Sequence, residues 1–235
     1  MLKKLSVDMQ VAFILLAAGS GERLDAEVPK SLVKLNNYPL FIHSLIRSKE
    51  AGFFNQSILV VPKGFKEDFQ SALSKYNLDV DSLVLGGSKR VDSVSNALDS
   101  IEYADYVFIH DAARPFISVK LMEVLLEEVK KHSAVIPALA VSSTLKISKD
   151  GFAVRTLNRD NMYTVQTPQV FDFQLIKSAL LEFKNRDVGN EIFDDSYLLE
   201  FSGKKVKMVE GDVSNFKITY PRDLEFAKRI LEQCR

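Results

Sequence analysis

Cysteine and histidine are scarce in this chain, which has one cysteine and three histidines among its 235 residues. The single thiol, Cys234, cannot form an intramolecular disulfide, and this favours a reducing compartment. We therefore expect a cytoplasmic protein. Neither a catalytic histidine nor a nucleophilic cysteine stands out from the sequence, so chemistry that requires one of them is disfavoured.

An excess of either charge is also absent, because Lys and Arg together number 31 and Asp and Glu together number 31. A generally basic surface for nucleic acid is therefore disfavoured, whereas a small anionic substrate needs only local positive charge. No apolar run approaches the length of a membrane span. Lys3 and Lys4 precede an apolar run, as in a signal peptide, but Asp8 and Gln10 interrupt the approach. We expect no targeting segment and no contact with a membrane.

Residues 12–30, AFILLAAGSGERLDAEVPK, are the most informative part of the sequence. An apolar run suited to one buried strand leads into a glycine-rich turn, in which backbone N–H groups can face one point. Two cations follow, Arg23 and Lys30, and Pro29 stiffens the chain between them. Backbone donors and two cations on one loop suit a polyanion, most naturally a triphosphate.

Two well-known nucleotide motifs are missing from this loop. A dinucleotide fingerprint requires a third glycine where Leu24 stands, and no G-x-x-x-x-G-K-[ST] sequence occurs. An ordinary Gly-Ser-Gly turn without a ligand is the alternative, and the spacing of Arg23 and Lys30 favours a phosphate loop over it.

Two later segments have a similar organisation. Gly86–Arg90 forms a second glycine turn before a helix, and it suits either an anion or a capped turn without a ligand. Asp111 and Arg114 follow the predicted strand Tyr106–His110, at the strand end where ligands lie in parallel sheets. Asp111 can hold magnesium or orient a substrate and Arg114 can hold a phosphate; a local ion pair in the turn is the alternative. Side chains alternate along a strand, so we expect His110 to face away from Asp111 and to be structural.

Strand and helix patterns alternate along the chain, which predicts one α/β domain over residues 1–235 with a mostly parallel sheet and helices on both faces. Residues 142–161 interrupt this pattern and predict two short strands around Lys149–Gly151. The alternating polar side chains of this hairpin leave an edge that a partner subunit can cover, so we expect a dimerisation arm.

The ordered motifs resemble those of the 2-C-methyl-D-erythritol 4-phosphate cytidylyltransferases of the non-mevalonate isoprenoid pathway. They are LAAGSGER, PK, GGSKRVDSV, HDAARP, NRDNMYTVQTPQVF, VEGD and NFKIT, and they span about nine tenths of the chain. The resemblance implies a Rossmann-like nucleotidyltransferase, a divalent cation such as Mg²⁺, the substrates CTP and a polyol phosphate, and a homodimer formed through the hairpin arm.

The resemblance also assigns roles to individual residues. The residues expected to hold the CTP triphosphate are Gly19, Gly21, Arg23 and Lys30, of which Arg23 and Lys30 stabilise the transition state. Those expected around cytidine are Gly87, Ser88 and Ser93. Those expected to handle the polyol phosphate are Asp111, Arg114, Thr144, Arg159 and Lys217, with Arg159 and Lys217 positioning it. Ala17, Ala18, Arg90 and Ala112 complete the predicted substrate site, and Asp111 is the predicted metal ligand.

Two alternatives and two departures accompany this interpretation. Ribitol-5-phosphate cytidylyltransferases have related motifs; Ala112-Ala113 favours the methylerythritol enzyme, whereas residues 160–163 lean slightly the other way. The other alternative is a nucleotide-binding regulator that has lost turnover, and the four predicted catalytic cations argue against it. Ser31 stands where the family usually has Gln, and Tyr220 replaces a common capping Thr before Pro221.

Overall fold

A computed structural model describes residues 9–19, 21, 24, 28–186, 192 and 194–233. The helices are α1 (Leu40–Ala51), α2 (Lys66–Lys75), α3 (Arg90–Asp99), α4 (Val119–His132), α5 (Phe173–Asn185), α6 (Ser196–Phe201) and α7 (Pro221–Gln233). The strands are β1 (Val11–Leu16), β2 (Lys34–Leu35), β3 (Tyr38–Pro39), β4 (Gln56–Val61), β5 (Ser82–Leu85), β6 (Tyr106–Asp111), β7 (Ala134–Ala140), β8 (Leu145–Lys149), β9 (Phe152–Leu157), β10 (Tyr163–Val165), β11 (Gln169–Asp172) and β12 (Lys207–Glu210).

The main sheet has eight strands, in the order β10-β7-β11-β6-β1-β4-β5, with β12 paired to β7. Strands β6, β1, β4 and β5 are parallel to one another, whereas β11 lies antiparallel between β6 and β7. The chain builds β4 and β5 on one side of β1 and then returns to place β6 on the other side. This reversal opens a crevice at the carboxyl ends of β1 and β6, where α/β proteins bind ligands.

Side-chain alternation along β1 explains why helices cover both faces of the sheet. Phe13 and Leu15 pack with α1, α2 and α4, whereas Ala12 and Ile14 pack with α3, α5 and α6. All four side chains are fully buried. The predicted Rossmann-like fold, with a mostly parallel sheet between two helical layers, is confirmed.

Local signals define several of these boundaries. Helix α1 begins after Pro39 and ends at Gly52, which has the left-handed φ of 72° that favours glycine after a helix. Ser118 caps α4, because its side chain accepts a hydrogen bond from the Leu121 amide at 3.2 Å. Both boundaries agree with the sequence, in which Pro39 and Gly52 predict the start and the end of one helix and Ser118 predicts the cap of another.

The spacing of Phe171, Leu175 and Ile176 predicts one helix, and this prediction is wrong at its start. Phe171 does not begin a helix with Leu175 and Ile176; it lies in β11, and α5 begins at Phe173. Strand β11 is only four residues long and Val170 and Phe171 are both fully buried. This leaves no polar alternation to distinguish a short strand from the first turn of a buried helix.

The predicted hairpin is present as β8 and β9, which pair with each other and with no other strand of the described residues. Phe152 and Val154 in β9 are 76% and 59% exposed, which is unusual for large apolar side chains.

No helix in the described part of the chain is both long enough and apolar enough to cross a membrane.

Candidate active site

A cleft of about 760 Å³ lies at the carboxyl ends of β1, β5 and β6. Its walls come from the loops after these strands and from the segment after β12. The lining residues are Leu16, Ala17, Ala18, Gly19, Gly21, Lys30, Ser31, Gly87, Ser88, Lys89, Arg90, Ser93, Asp111, Ala112, Ala113, Lys217 and Thr219. The cleft thus brings together segments that are up to two hundred residues apart in the sequence.

The first wall is the loop after β1, which carries Lys30. A short 3₁₀ helix, Lys30–Leu32, follows Pro29, and the Leu32 amide donates to the Pro29 carbonyl at 2.8 Å. The buried Ser31 hydroxyl donates to the Ala17 carbonyl at 2.7 Å. This hydrogen bond connects the turn that carries Lys30 to the end of β1. The Lys30 backbone therefore has a fixed position beside the glycine-rich turn that contains Gly19 and Gly21.

The second wall is the glycine turn before α3. The Ser93 hydroxyl accepts from the Gly87 amide at 3.1 Å, and the Asp92 carboxylate accepts from the Ser88 hydroxyl at 2.8 Å. A Cβ atom on Gly87 would lie 2.2 Å from the Cβ of Asp92. The backbone of this turn is therefore packed directly against the start of α3, and no larger residue fits at position 87.

Charged groups converge on the floor of the cleft at the end of β6. The Asp111 carboxylate accepts from Lys217 Nζ at 2.7 Å and faces an Arg90 nitrogen at 3.4 Å. Burial alone would raise the pKa of Asp111, but the neighbouring positive charges, above all Lys217 and Arg90, hold that pKa well below its usual range. Asp111 is therefore an anion whose two oxygens already face cations.

Arg114 supports the cleft from behind. Its guanidinium donates to the carbonyls of Asn215 at 2.9 Å and Val165 at 3.3 Å, and it does not line the cleft. The Ile218 amide in turn donates to the Ala113 carbonyl at 2.9 Å. These bonds fix the segment that carries Lys217 against the end of β6.

His110 is buried beside this network and does not line the cleft. Its Nδ1 lies 3.0 Å from the Thr167 hydroxyl and its Nε2 lies 3.1 Å from the Arg114 carbonyl. Burial lowers the pKa of His110 to about 4, so the ring is neutral near pH 7. The structural role predicted for His110 agrees with this environment.

Comparison with known proteins identifies the family. A family model described as 2-C-methyl-D-erythritol 4-phosphate cytidylyltransferase (IspD) matches residues 11–233. The chain belongs to this family. The cytidylyltransferase of that name from Clostridium beijerinckii is 40% identical over 224 residues, which cover 94% of this chain and 98% of the relative.

Solved structures give the same result. The 4-diphosphocytidyl-2C-methyl-D-erythritol synthase of Anaerococcus prevotii is 31% identical, with a TM-score of 0.81 over 96% of this chain and 99% of that one. The 2-C-methyl-D-erythritol 4-phosphate cytidylyltransferase of Thermus thermophilus is 28% identical, with a TM-score of 0.80 over 95% of this chain and all of the other. The chain is thus a nucleotidyltransferase of the IspD family, as the motifs had predicted.

Most of the residues predicted from the IspD resemblance line this cleft. They are Ala17, Ala18, Gly19, Gly21, Lys30, Gly87, Ser88, Arg90, Ser93, Asp111, Ala112 and Lys217. Thr144 and Arg159 are exposed at the base of the hairpin and do not line it. Arg23 lies outside the described residues. The roles of all these residues stay predictions.

Several groups near the IspD cleft escaped the sequence prediction, among them Lys89 and Thr219 in its lining and Asp195 behind Arg90. The sequence signal for Thr219 is its place at the end of the NFKIT motif, two residues after Lys217. Asp195 is buried next to Arg90, whereas the adjacent acids Asp194 and Asp195 predict a helix cap in preference to a metal site. No local pattern could reveal that contact, because the two residues are 105 positions apart.

The described residues do not form a metal site of their own, since they contain no group of three or more His, Cys, Asp or Glu side chains arranged to hold an ion. Asp111 is the acidic residue that lines the cleft, and both of its oxygens face cations. This geometry does not suit an ion held by the protein alone. The predicted metal role of Asp111 stays a prediction.

Gly21 provides a test of how closely the loop fits around Lys30. A Cβ atom on Gly21 would lie 2.4 Å from the Cβ of Lys30, and φ at Gly21 is 71°. We expect Gly21→Ala to displace Lys30 and to lower kcat by about tenfold or more, because small misplacements of a catalytic group have large effects. Steady-state kinetics with CTP would measure this loss.

Gly203→Ala is the matched control for Gly21→Ala. Its φ is 69°, yet an added Cβ would meet nothing within 4 Å. Gly203→Ala should lower the free energy of unfolding by about 1–2 kcal/mol, the cost of a left-handed alanine, and Gly21→Ala should lower it by at least as much because its added Cβ also meets Lys30. Equal kinetic effects in the two variants would show that the contact with Lys30 is unimportant.

Proposed function

We propose that this chain transfers a cytidylyl group from CTP to 2-C-methyl-D-erythritol 4-phosphate, giving 4-diphosphocytidyl-2-C-methyl-D-erythritol and pyrophosphate in isoprenoid precursor biosynthesis. The observation that carries the proposal is the cleft, where the loop with Lys30 and the turn at Gly87 form two walls and Asp111 and Lys217 lie on the floor. Family membership supports the same reaction. We place the reaction in the cytoplasm because the lone cysteine favours a reducing compartment.

The reaction is a substitution at the α-phosphorus of CTP. An oxygen of the phosphate monoester forms a new P–O bond, the bond to the bridging oxygen between the α- and β-phosphates breaks, and pyrophosphate leaves with that electron pair. The second pKa of a phosphate monoester is about 6, so the nucleophile is already largely ionised at neutral pH. A general base is therefore unnecessary, which fits a cleft whose described lining contains no histidine or cysteine.

Fixed positive charge provides the catalysis in this proposal. Lys30 stabilises the charge that accumulates on the α-phosphate oxygens, with Arg23 beside it in the sequence-based assignment. Lys217, held by Asp111 at 2.7 Å, positions the incoming phosphate. Gly19 and Gly21 present backbone amides to the triphosphate, and the turn at Gly87 and Ser88 surrounds cytidine.

A divalent cation, Mg²⁺ in our proposal, accompanies the nucleotide. The described residues do not suit an ion held by protein ligands alone, so we assign the ion to the phosphate oxygens of CTP. An ion bound there would neutralise part of the phosphate charge. The protein's own contribution is the arrangement of lysines and backbone amides around the same phosphates.

Dimerisation through the hairpin completes the proposal, with residues 1–235 forming one domain and residues 142–161 its arm. Strands β8 and β9 pair with no other described strand, and Phe152 and Val154 are exposed. Thr144 and Arg159 lie at the base of this arm and outside the cleft of their own chain. In a two-fold dimer, they can complete the site of the other subunit.

Pyrophosphate release from CTP and Mg²⁺ tests the proposed reaction directly. We expect turnover with 2-C-methyl-D-erythritol 4-phosphate and a far lower kcat/KM with ribitol 5-phosphate, as Ala112-Ala113 indicates. CTP should be a better donor than ATP or GTP, because the tightly packed turn at Gly87 and Ser88 suits a pyrimidine. Equal or reversed kcat/KM values for the two polyol phosphates would contradict the assignment, and no turnover with either would leave only nucleotide binding.

A further inference from the structure

Arg90 and Asp195 form a two-point ion pair beneath the cleft. The two terminal nitrogens of Arg90 donate to the two oxygens of Asp195, at 2.5 and 2.8 Å. Such paired, parallel hydrogen bonds fix the plane of a guanidinium as well as its position. Arg90 lines the cleft, whereas the Asp195 side chain is only 2% exposed and does not. A group that faces the cleft is thus held in place by one that does not.

Helix capping does not account for Asp195. The residue precedes α6, but its side chain makes no capping hydrogen bond. Asp194 performs that role, because its Oδ1 accepts from the Tyr197 amide and the Ser196 hydroxyl, each at 3.0 Å. A buried carboxylate without a local function is costly unless a cation offsets the cost, and Arg90 is that cation.

Asp111 connects the ion pair of Arg90 and Asp195 to Lys217, the cation proposed to position the substrate. Arg90 also faces Asp111 Oδ1 at 3.4 Å, while Lys217 donates to Asp111 Oδ2 at 2.7 Å. The groups therefore alternate in sign, as Asp195, Arg90, Asp111 and Lys217. Two cations share the Asp111 carboxylate, and the one nearer to it is Lys217.

The way in which Arg90 and Lys217 share the Asp111 carboxylate depends on Asp195. While Asp195 accepts both hydrogen bonds, the guanidinium is held back from Asp111 at a distance beyond a strong charge-assisted hydrogen bond. Without the Asp195 charge, Asp111 would become the nearest anion available to Arg90. Arg90 would then compete with Lys217 for the same carboxylate.

We propose that Asp195 is a positioning residue for the transferase reaction: by holding Arg90 away from Asp111, it keeps Lys217 in place for the incoming phosphate. The inference rests on the proposed function. It concerns the polyol phosphate rather than CTP, since Lys217 is the group assigned to the former.

The first test is Asp195→Asn, which keeps the shape of the side chain and removes its charge. We expect the KM for 2-C-methyl-D-erythritol 4-phosphate to rise by about tenfold, within the range by which residues that touch no ligand alter a site. The KM for CTP should change by less than about twofold. Asp195→Glu keeps the charge and should recover most of the loss. Equal increases in both KM values would mean a general structural defect and would overturn the proposal.

Asp194→Asn is the matched control. It alters the neighbouring carboxylate, which caps α6 and accepts from Gln169 at 3.0 Å but makes no hydrogen bond to Arg90 among the described contacts. Its kinetics should equal those of the unaltered protein. The unaltered protein must first release pyrophosphate with both substrates, because failure there refutes the proposed function itself. Unchanged kinetics of Asp195→Asn in an active protein refute only the positioning role.

A double variant covers the case in which Asp195→Asn does not fold because Arg90 is left unpaired. Arg90→Gln with Asp195→Asn removes both charges, so no uncompensated ion remains buried. If Asp195 acts through Arg90, the double variant should have the same polyol phosphate KM as Arg90→Gln alone, to within about twofold. A further increase of about tenfold in the double variant would show that Asp195 acts by another route.

Discussion

We expect Lys30→Ala to lower kcat by about a hundredfold or more, the effect of removing one focused charge contact from a transition state. The Lys30 backbone lies in a turn fixed by Pro29 and by the hydrogen bond from Ser31 to Ala17. In our proposal, Lys30 adds little to the ground-state binding that CTP already gains from backbone amides. It adds more when negative charge accumulates at the α-phosphorus, so kcat should fall further than the affinity for the magnesium complex of CTP.

Single-turnover kinetics at saturating CTP would measure this effect, with the nucleotide affinity measured separately by calorimetry. Lys34→Ala is the control, because Lys34 follows the same turn, is exposed and does not line the cleft. Lys34→Ala should leave both quantities near their original values. If Lys30→Ala weakened CTP binding strongly and left kcat unchanged, Lys30 would be a binding residue and not a stabiliser of the transition state.

The parts of this fold that the sequence predicts well are those whose causes are local. The alternating contacts of Phe13 and Ile14 with two helical layers follow from the period of a strand, and the end of α1 follows from the conformational freedom of Gly52. Strand β11 has no such signal, because Val170 and Phe171 are buried on a short segment between two other strands.

The residues of the candidate site show the same distinction between local and tertiary causes. The glycine turns and Lys30 are close in sequence to the strands that carry them, so motif and position together predict their place in the cleft. Arg114 shows the limit of this reasoning, because its partners Val165 and Asn215 are 51 and 101 residues away. The contact of Arg90 with Asp195 is equally distant in sequence. Charges of this kind are arranged by tertiary packing, which no local pattern encodes.

Co-expression of two inactive variants, Lys30→Ala and Arg159→Ala, should restore activity. Our proposal places Lys30 from one chain and Arg159 from its partner in the same site. In a mixed dimer, one site then receives both defects and the other receives neither. With random pairing, about a quarter of all sites should be intact, because a closed two-fold dimer has two equivalent sites. Activity should return to about that fraction, although each variant alone is nearly inactive.

A second pair of variants is the control for this experiment. Lys30 and Lys217 line the cleft of a single chain, so co-expression of Lys30→Ala with Lys217→Ala leaves every site without one of the two lysines. No activity should return in that case. Pyrophosphate release would be measured on the unfractionated mixture and again on mixed dimers isolated with two different affinity tags, in which about half of the sites should be intact for Lys30→Ala with Arg159→Ala. If mixed dimers of Lys30→Ala and Arg159→Ala form and remain inactive, the hairpin arm serves its own subunit and the shared site does not exist.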